Sequence, residues 1–311
     1  MLHFFCPEEN AARLFWRQRD MYELSRRQGH HLQIVFLGFG KLGEELLLRG
    51  LQSNLFSPDQ SIAYHVFGPS DRFAAIHRGI AQIEDPVIFH PEPWYTQLSL
   101  LEEADLLLVL EQTEQAKLLE DLLLAITRRE IDVFARGDLT DGPLAKQPRL
   151  RLFAWEQAAL DLKIVLDDLL LDRAKAINLR YSHLYAGVAE TKENCEAEWA
   201  KLDAFTRESN ISAADYHLVR LDMLAAMGLP ASAEKLPPDT MEILAELEHT
   251  RWCRYHYLNN WTFGHPENGR RKDPVQRIHG DLVPYQNLTE AEREKDRENI
   301  RILLSVEGNP L

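Results

Sequence analysis

Three glycines stand at G-x-G-x-x-G spacing in Leu32-Gln-Ile-Val-Phe-Leu-Gly38-Phe39-Gly40-Lys41-Leu42-Gly43-Glu-Glu. The apolar run before them predicts a strand, and the stretch after them predicts a helix. In that setting Gly38 permits a tight turn, Gly40 lets backbone approach a diphosphate, and Gly43 allows close helix–strand packing. Phe39, Lys41 and Leu42 complete the loop, and the phosphates would rest on free N–H groups at the helix N-terminus. The chemistry expected here is the binding of NAD or NADP. The alternative is a domain that keeps its glycines for packing alone.

The companion feature of such a site departs from the usual pattern. An NAD domain ends its second strand with an acid that holds the ribose 2′-hydroxyl. Here that strand ends Val66-Phe67-Gly68-Pro69-Ser70-Asp71-Arg72. Gly68 takes the acid's place and Asp71 is displaced by about three residues. A small residue with Ser70 and Arg72 nearby suits a 2′-phosphate and so leans towards NADP. Asp71 reaching back would restore NAD.

A second concentration of useful side chains lies near the C-terminus. Glu248-His249-Thr-Arg251-Trp252 is followed by Asn260-Trp261-Thr-Phe263-Gly264, then Gly269-Arg270-Arg271-Lys272-Asp273, then Leu282-Val-Pro-Tyr285-Gln-Asn-Leu288. Trp252, Trp261, Phe263 and Tyr285 offer flat faces. Arg251, Arg270, Arg271, Lys272 and Arg277 place five cations among them. Stacking surfaces with guanidinium groups suit a base and its phosphates. Against this, a module so small needs its aromatics as a core, and Arg270–Lys272 also reads as a solvated loop. His249, Cys253 and His256 share one helix face with His265 not far along the chain, a metal-like pattern. It arises easily by chance, and no metal is expected. Ser209-Asn210-x-Ser212 reads as a helix cap.

These residues need elements to hold them. Residues 8–28 predict one amphipathic helix. Strands are predicted at Leu32–Leu37, Ile62–Phe67, Val87–Phe89, Ala104–Leu110, Ile131–Ala135 and Leu150–Ala154. Helices alternate with them at Lys41–Leu51, Arg72–Ile80 and Glu114–Arg129. Such alternation implies a doubly wound parallel sheet with helices on both faces, an α/β Rossmann domain. Val87–Phe89 is the weakest strand, since Pro86, Pro91 and Pro93 crowd it. Beyond Trp155 the pattern turns helical, at Glu156–Tyr185, Cys195–Arg207 and Ser212–Met227. A linker at Pro230–Pro238 precedes a mainly α module with helices at Asp239–Leu258 and Thr289–Val306. The expected organisation is an N-terminal helix (1–30), the Rossmann domain (31–155), a helical connector (156–230) and the small module (239–311).

The chain has 311 residues, apolar content of 45% and a formal charge of −14, values that exclude wholesale disorder and argue against a nucleic-acid binder. Cys6, Cys195 and Cys253 make no disulfide framework and suit a reducing cytoplasm. The best apolar run, Leu32–Phe39, contains Gln33 and Gly38 and is far short of the roughly 20 residues of a spanning helix. The opening Met1–Cys6, followed by Glu8, Glu9, Arg13 and Arg17, does not read as a secretory leader. A soluble, cytoplasmic protein is expected.

Residues 31–155 resemble the nucleotide-binding domain of bacterial potassium-uptake regulators (TrkA-N type), through the glycine turn, Glu102-Glu-Ala-Asp-Leu-Leu-Leu-Val-Leu110 and Ile131-Asp-Val-Phe-Ala-Arg-Gly-Asp138. Residues 243–304 resemble the ryanodine-receptor repeat (RyR domain) of bacterial proteins. That resemblance implies ligand residues at His249, Arg251, Trp252, Trp261, Phe263, Arg270, Arg271, Lys272 and Tyr285. Together the two imply a non-catalytic regulatory protein. It would hold a dinucleotide that is not consumed and sense a nucleotide-type ligand or a partner such as an ion channel or defence effector. The TrkA-N likeness makes a homodimer the default. No catalytic residue emerges, since Tyr-x-x-x-Lys, G-x-S-x-G, Walker A and H-E-x-x-H are all missing. An NADP-dependent oxidoreductase using the module as a lid, and an adaptor with vestigial pockets, are the competing readings.

Overall fold

In the computed structural model, which describes residues 5–166, 170–267 and 269–308, the alternating apolar runs form six parallel strands. The elements in order are α1 (Pro7–Gln18), α2 (Met21–Arg27), β1 (His31–Leu37), α3 (Lys41–Ser53), β2 (Ser61–Phe67), α4 (Asp71–Ile76) and β3 (Val87–His90). There follow α5 (Leu98–Glu103), β4 (Leu106–Val109), α6 (Gln115–Ala125), β5 (Ile131–Phe134), α7 (Gly137–Thr140), β6 (Leu150–Phe153), α8 (Trp155–Ala159) and α9 (Leu162–Leu166). The chain continues with α10 (Asp172–Ala186), α11 (Lys192–Lys201), α12 (Ala204–Ala226), α13 (Pro238–Leu258), β7 (Thr262–Phe263), β8 (Lys272–Asp273), β9 (Ile278–His279) and α14 (Glu290–Gly308).

The sheet order is β3-β2-β1-β4-β5-β6, so the winding reverses between β1 and β4 and opens a crevice at their carboxyl ends. This is a Rossmann-like α/β fold followed by a helical region. All four residues of both β4 and β5 are buried, as expected for strands covered on two faces. Val35, Leu37, Leu107 and Val109 pack with Leu119 and Leu122 of α6 in one cluster. Phe15 of α1 packs instead on Phe134 and Phe153 of β5 and β6. β3 forms despite its prolines because it lies at the sheet edge, and the Pro86 carbonyl accepts from the Tyr64 amide at 2.8 Å.

The chain divides into two compact units, Met1–Gly50 with Asp59–Asp167, and Leu51–Pro58 with Asp168–Leu311. In the second, Ile177, Trp199, Ile211 and Leu303 form one core cluster, and Ala245, Tyr285 and Leu288 another. Two anchors hold its short N-terminal segment. The Tyr216 hydroxyl donates to the Leu55 carbonyl at 3.0 Å, and Arg254 Nη1 donates to the Leu51 carbonyl at 3.1 Å.

Several expected elements are revised. The single helix over 8–28 is two, because Asp20 caps a new start by accepting from the Glu23 amide at 3.0 Å. Arg72–Ile80 ends its α-helix at Ile76 and continues as a 3₁₀ turn over Arg78–Gln82. The long helix over Glu156–Tyr185 is α8, α9 and α10, with 167–169 outside the described residues. Cys195–Arg207 breaks at Leu202, where Asp203 accepts from the Thr206 amide at 2.7 Å and starts α12. Ser209, Asn210 and Ser212 therefore lie inside α12 and do not cap it. The aromatic loop region contains a three-stranded sheet, β7-β9-β8, which the sequence did not reveal.

Candidate functional site

The glycine turn is held by backbone demands that only glycine meets. Gly38 has φ +91°, and a Cβ there would stand 2.6 Å from the Glu111 amide nitrogen. Gly43 meets Phe39 and Leu110 at 3.0 and 3.3 Å, so it sets the approach of α3 to the sheet. Gly40 is different: a Cβ placed on it meets nothing within 4 Å. The space above it belongs to a cavity of about 340 Å³. The first turn of α3 leaves N–H groups without intrahelical partners beside that space.

Gly38, Phe39, Gly40, Lys41, Leu42 and Gly43 all line this cavity. Gly68, Ser70, Asp71 and Arg72 are not among its walls; from that side only Pro69 reaches it. Gly68 has its own reason to be glycine. Its φ is +145°, and a Cβ would lie 2.7 Å from the Phe39 backbone nitrogen. The missing acid is thus explained by close packing of two loops, which weakens the sequence argument for a 2′-phosphate. Arg72 reaches back to Glu44 at 3.6 Å.

Glu8, Leu110, Glu111, Gln112 and Trp155 complete the walls, and sequence reasoning missed them all. Leu110–Gln112 follow the strand across the crevice from β1, a place the topology could have suggested. Glu8 and Trp155 are separated from the turn by 30 residues or more, and no local pattern marks them. Glu8 lies 3.6 Å from Lys41 Nζ and also accepts from the Cys6 thiol at 3.4 Å. Burial foremost, with Glu8 beside it, pushes the Cys6 thiol up. Glu111 Oε1 accepts from the Gln112 and Thr113 amides, so its charge is spent in its own turn.

The aromatic module separates its expected residues into an interior and a surface. Arg251 is 2% exposed, and its Nη2 donates to Glu248 Oε1 at 2.6 Å while Nη1 donates to Ser212 at 3.0 Å. Arg220 donates to the other Glu248 oxygen at 2.8 Å. Burial pushes the Glu248 carboxyl up, yet the Arg251 and Arg220 guanidiniums overcome it and hold it below the usual carboxylate range. Arg251 is therefore a sealed structural charge, out of reach of any ligand.

Trp261 is buried against Phe205 and His256, and Tyr285 is buried with its hydroxyl donating to Glu242 at 3.0 Å. Half-buried Trp252 packs among His249, His256 and His279. Phe263 is exposed and edges onto His265.

His249 sits between Asp296 (Nδ1 to Oδ2, 3.2 Å) and the Val283 carbonyl (Nε2, 2.8 Å). Burial alone would lower its pKa, but hydrogen bonds to Asp296 and Cys253 and the neighbouring charge raise it to about 10. Cys253 Sγ lies 3.4 Å from His249 Nε2, so Cys253, His249 and Asp296 follow the order of a nucleophile, base and acid. The surroundings are wrong for that: His249 Nε2 is already engaged by the Val283 carbonyl, and Cys253 is buried and does not line the cavity described above. His256 goes the other way: burial above all lowers it to about 3, and its Nδ1 donates to the Trp252 carbonyl. Among the described residues, no group of three His, Cys, Asp or Glu side chains is arranged to hold a metal.

Arg270, Arg271 and Lys272 do come together, lining a cavity of about 410 Å³ with Pro274, His279, Asp281 and Lys295. Four cations line it with Asp281, and Glu292 pairs with both Arg271 and Lys295, which leaves a smaller local excess of positive charge in an acidic chain. Arg271 is already held by Asp281 at 2.7 Å and Glu292 at 3.2 Å, which fixes its guanidinium in place. Burial, the largest influence, holds His279 below its ordinary value, so it adds no charge near neutrality.

Among the described residues no helix is long and apolar enough to cross a membrane. No curated protein and no solved structure matches the chain. Residues 224–306 do match a known family, which identifies this part of the second unit as an RyR domain.

Proposed function

We propose that the chain is a regulatory ligand sensor: the first unit holds a dinucleotide, NAD or NADP, without consuming it, and the RyR domain binds an anionic nucleotide-type ligand. The observation that carries this is the position of Gly40, where a Cβ would meet nothing within 4 Å and the backbone faces a cavity at a helix N-terminus. Its position at the reversal of strand order, where ligands of open α/β sheets bind, supports the same reading. The ionisable groups around the turn are engaged with one another or with backbone, which favours holding a ligand over transforming it. Arg270 and Lys272 at β8, beside the carboxylate-held Arg271 and Lys295, give the RyR domain a face that favours an anion.

A TrkA-N-like role, a cytoplasmic setting, a homodimer and an ion-channel or defence partner extend this proposal. Titration calorimetry on the full chain with NAD, NADP and ADP tests it. Saturable binding of at least one, with no steady oxidation of NADPH across a panel of carbonyl compounds, is expected. Sustained turnover would overturn the sensor reading.

A further inference from the structure

The cation-lined cavity near β8 has a neighbour. A second cavity, of about 300 Å³, is lined by His265, Gly269, Arg270, Arg271 and Gly280. Arg270 and Arg271 belong to both walls, so the two cavities meet along one short stretch of chain. That stretch is pinned from β9: Lys272 pairs with His279 across the antiparallel strands, and the Gly280 amide donates to the Arg271 carbonyl at 2.9 Å.

The two cavities differ in chemistry. Lys272 and Lys295 join the shared arginines in the first, while Asp281 and Glu292 hold Arg271 and Lys295. The four cations exceed these two carboxylates by two, close to the charge of one phosphate monoester near neutral pH. A longer phosphate chain brings more charge than this excess matches, into a chain already at −14.

The second cavity adds a flat surface. Beyond the shared arginines its walls are one imidazole and two glycines. His265 is exposed but restrained. A Cβ on Gly280 would stand 3.2 Å from its Nδ1, so the ring rests against bare backbone, and the Phe263 ring meets it at 5.4 Å and 77°. An exposed aromatic ring held in one orientation beside guanidiniums is a stacking platform for a heterocyclic base.

We infer that the two cavities form one site for a nucleoside monophosphate, with the base on His265 and the phosphate among Arg270, Lys272 and Lys295. This rests on the reading of the RyR domain as an anion-binding unit and narrows its ligand to one phosphate carried with a planar base.

Hydrogen exchange at residues 269–281, followed while the full chain is titrated with AMP, ribose 5-phosphate or ADP, reads this site apart from the glycine turn. Stacking tolerates any base, so AMP serves as the probe. The wild type should bind AMP about tenfold tighter than ribose 5-phosphate, and ADP no tighter than AMP. His265→Ala should bring AMP down to the affinity of ribose 5-phosphate and leave the latter unchanged, whereas His265→Phe, which keeps a flat face, should retain AMP. Lys272→Ala should weaken both ligands alike, by about tenfold. His265 and Lys272 are exposed, so all three variants should melt like the wild type. Ribose 5-phosphate binding as tightly as AMP, His265→Ala changing both ligands or neither, or His265→Phe losing AMP overturns the base platform while the anion reading stands. Tighter binding of ADP overturns the single phosphate. If none of the three ligands protects this segment, the anion reading of the RyR domain fails and the site with it.

Discussion

Gly40→Ala separates a glycine kept for a ligand from one kept for the fold. In the protein by itself the new methyl group meets nothing within 4 Å, so no clash is introduced. Replacing glycine at a position compatible with alanine changes stability by only about 0.4–1 kcal/mol, and in the favourable direction. With a diphosphate in the cavity, the same methyl stands where the phosphate must approach. Pushing the anion off two backbone N–H groups costs about 1.5 kcal/mol each, or roughly a hundredfold in affinity.

Gly38→Ala is the contrasting control. Its Cβ would be forced within 2.6 Å of the Glu111 nitrogen at φ +91°. Strain of that kind costs about 1–3 kcal/mol before the clash is counted. Thermal melting and nucleotide titration of both variants, side by side, give the answer. Gly40→Ala should melt like the wild type and bind at least an order of magnitude more weakly, whereas Gly38→Ala should melt early. If Gly40→Ala binds normally, no phosphate rests on that backbone and the cradle reading is wrong.

Other outcomes follow from the second unit. Glu248→Gln strips the counter-charge from two buried guanidiniums. It should cost about 3–5 kcal/mol, or roughly 6–20 °C in melting temperature for a unit of this size. His249 has a folded pKa of about 10, above its unfolded value, so its contribution is complete below about pH 6.5 and drains away as pH rises towards 10. His256, lowered to about 3, acts in reverse and loses its contribution as pH falls below about 6.5. Urea midpoints across pH should therefore fall on both sides of neutrality, and Asp296→Asn should flatten the alkaline side. Arg270→Glu with Lys272→Glu should abolish an anion response of the RyR domain that weakens with salt, without shifting the melt; an unchanged response rules out that cavity.

The parallel sheet and its glycine turn were legible because strand, turn and helix are local patterns, each written within a few residues. Capping was legible too, but was placed wrongly. Asp20-Met-Tyr-Glu23 and Asp203-Ala-Phe-Thr206 both carried the cap signal, whereas the polar cluster at Ser209–Ser212 drew attention away from it. Ser212 is polar because it accepts from Arg251, 39 residues distant, and no spacing rule links the two. The same holds for Glu8 and Trp155, brought to the cradle by helix packing across the sheet. In the RyR domain the aromatic and basic residue types were correctly noticed, but burial divided them. Arg251, Trp261 and Tyr285 went inside, and Arg270–Lys272 stayed out. Two-residue strands such as β7 and β8 are too short to show a period at all.

The segment Leu51–Pro58 leaves the first unit in the middle of its βαβ path and joins the second, so the polypeptide passes from one to the other three times. No single cut therefore yields two whole pieces. A fragment beginning at residue 168 would lack the carbonyls that accept from Tyr216 and Arg254, stranding a phenol and a guanidinium in its interior. Supplying residues 51–58 as a separate peptide should restore such a fragment, and inserting a protease site near residue 167 should nick the chain without letting its parts come away cleanly.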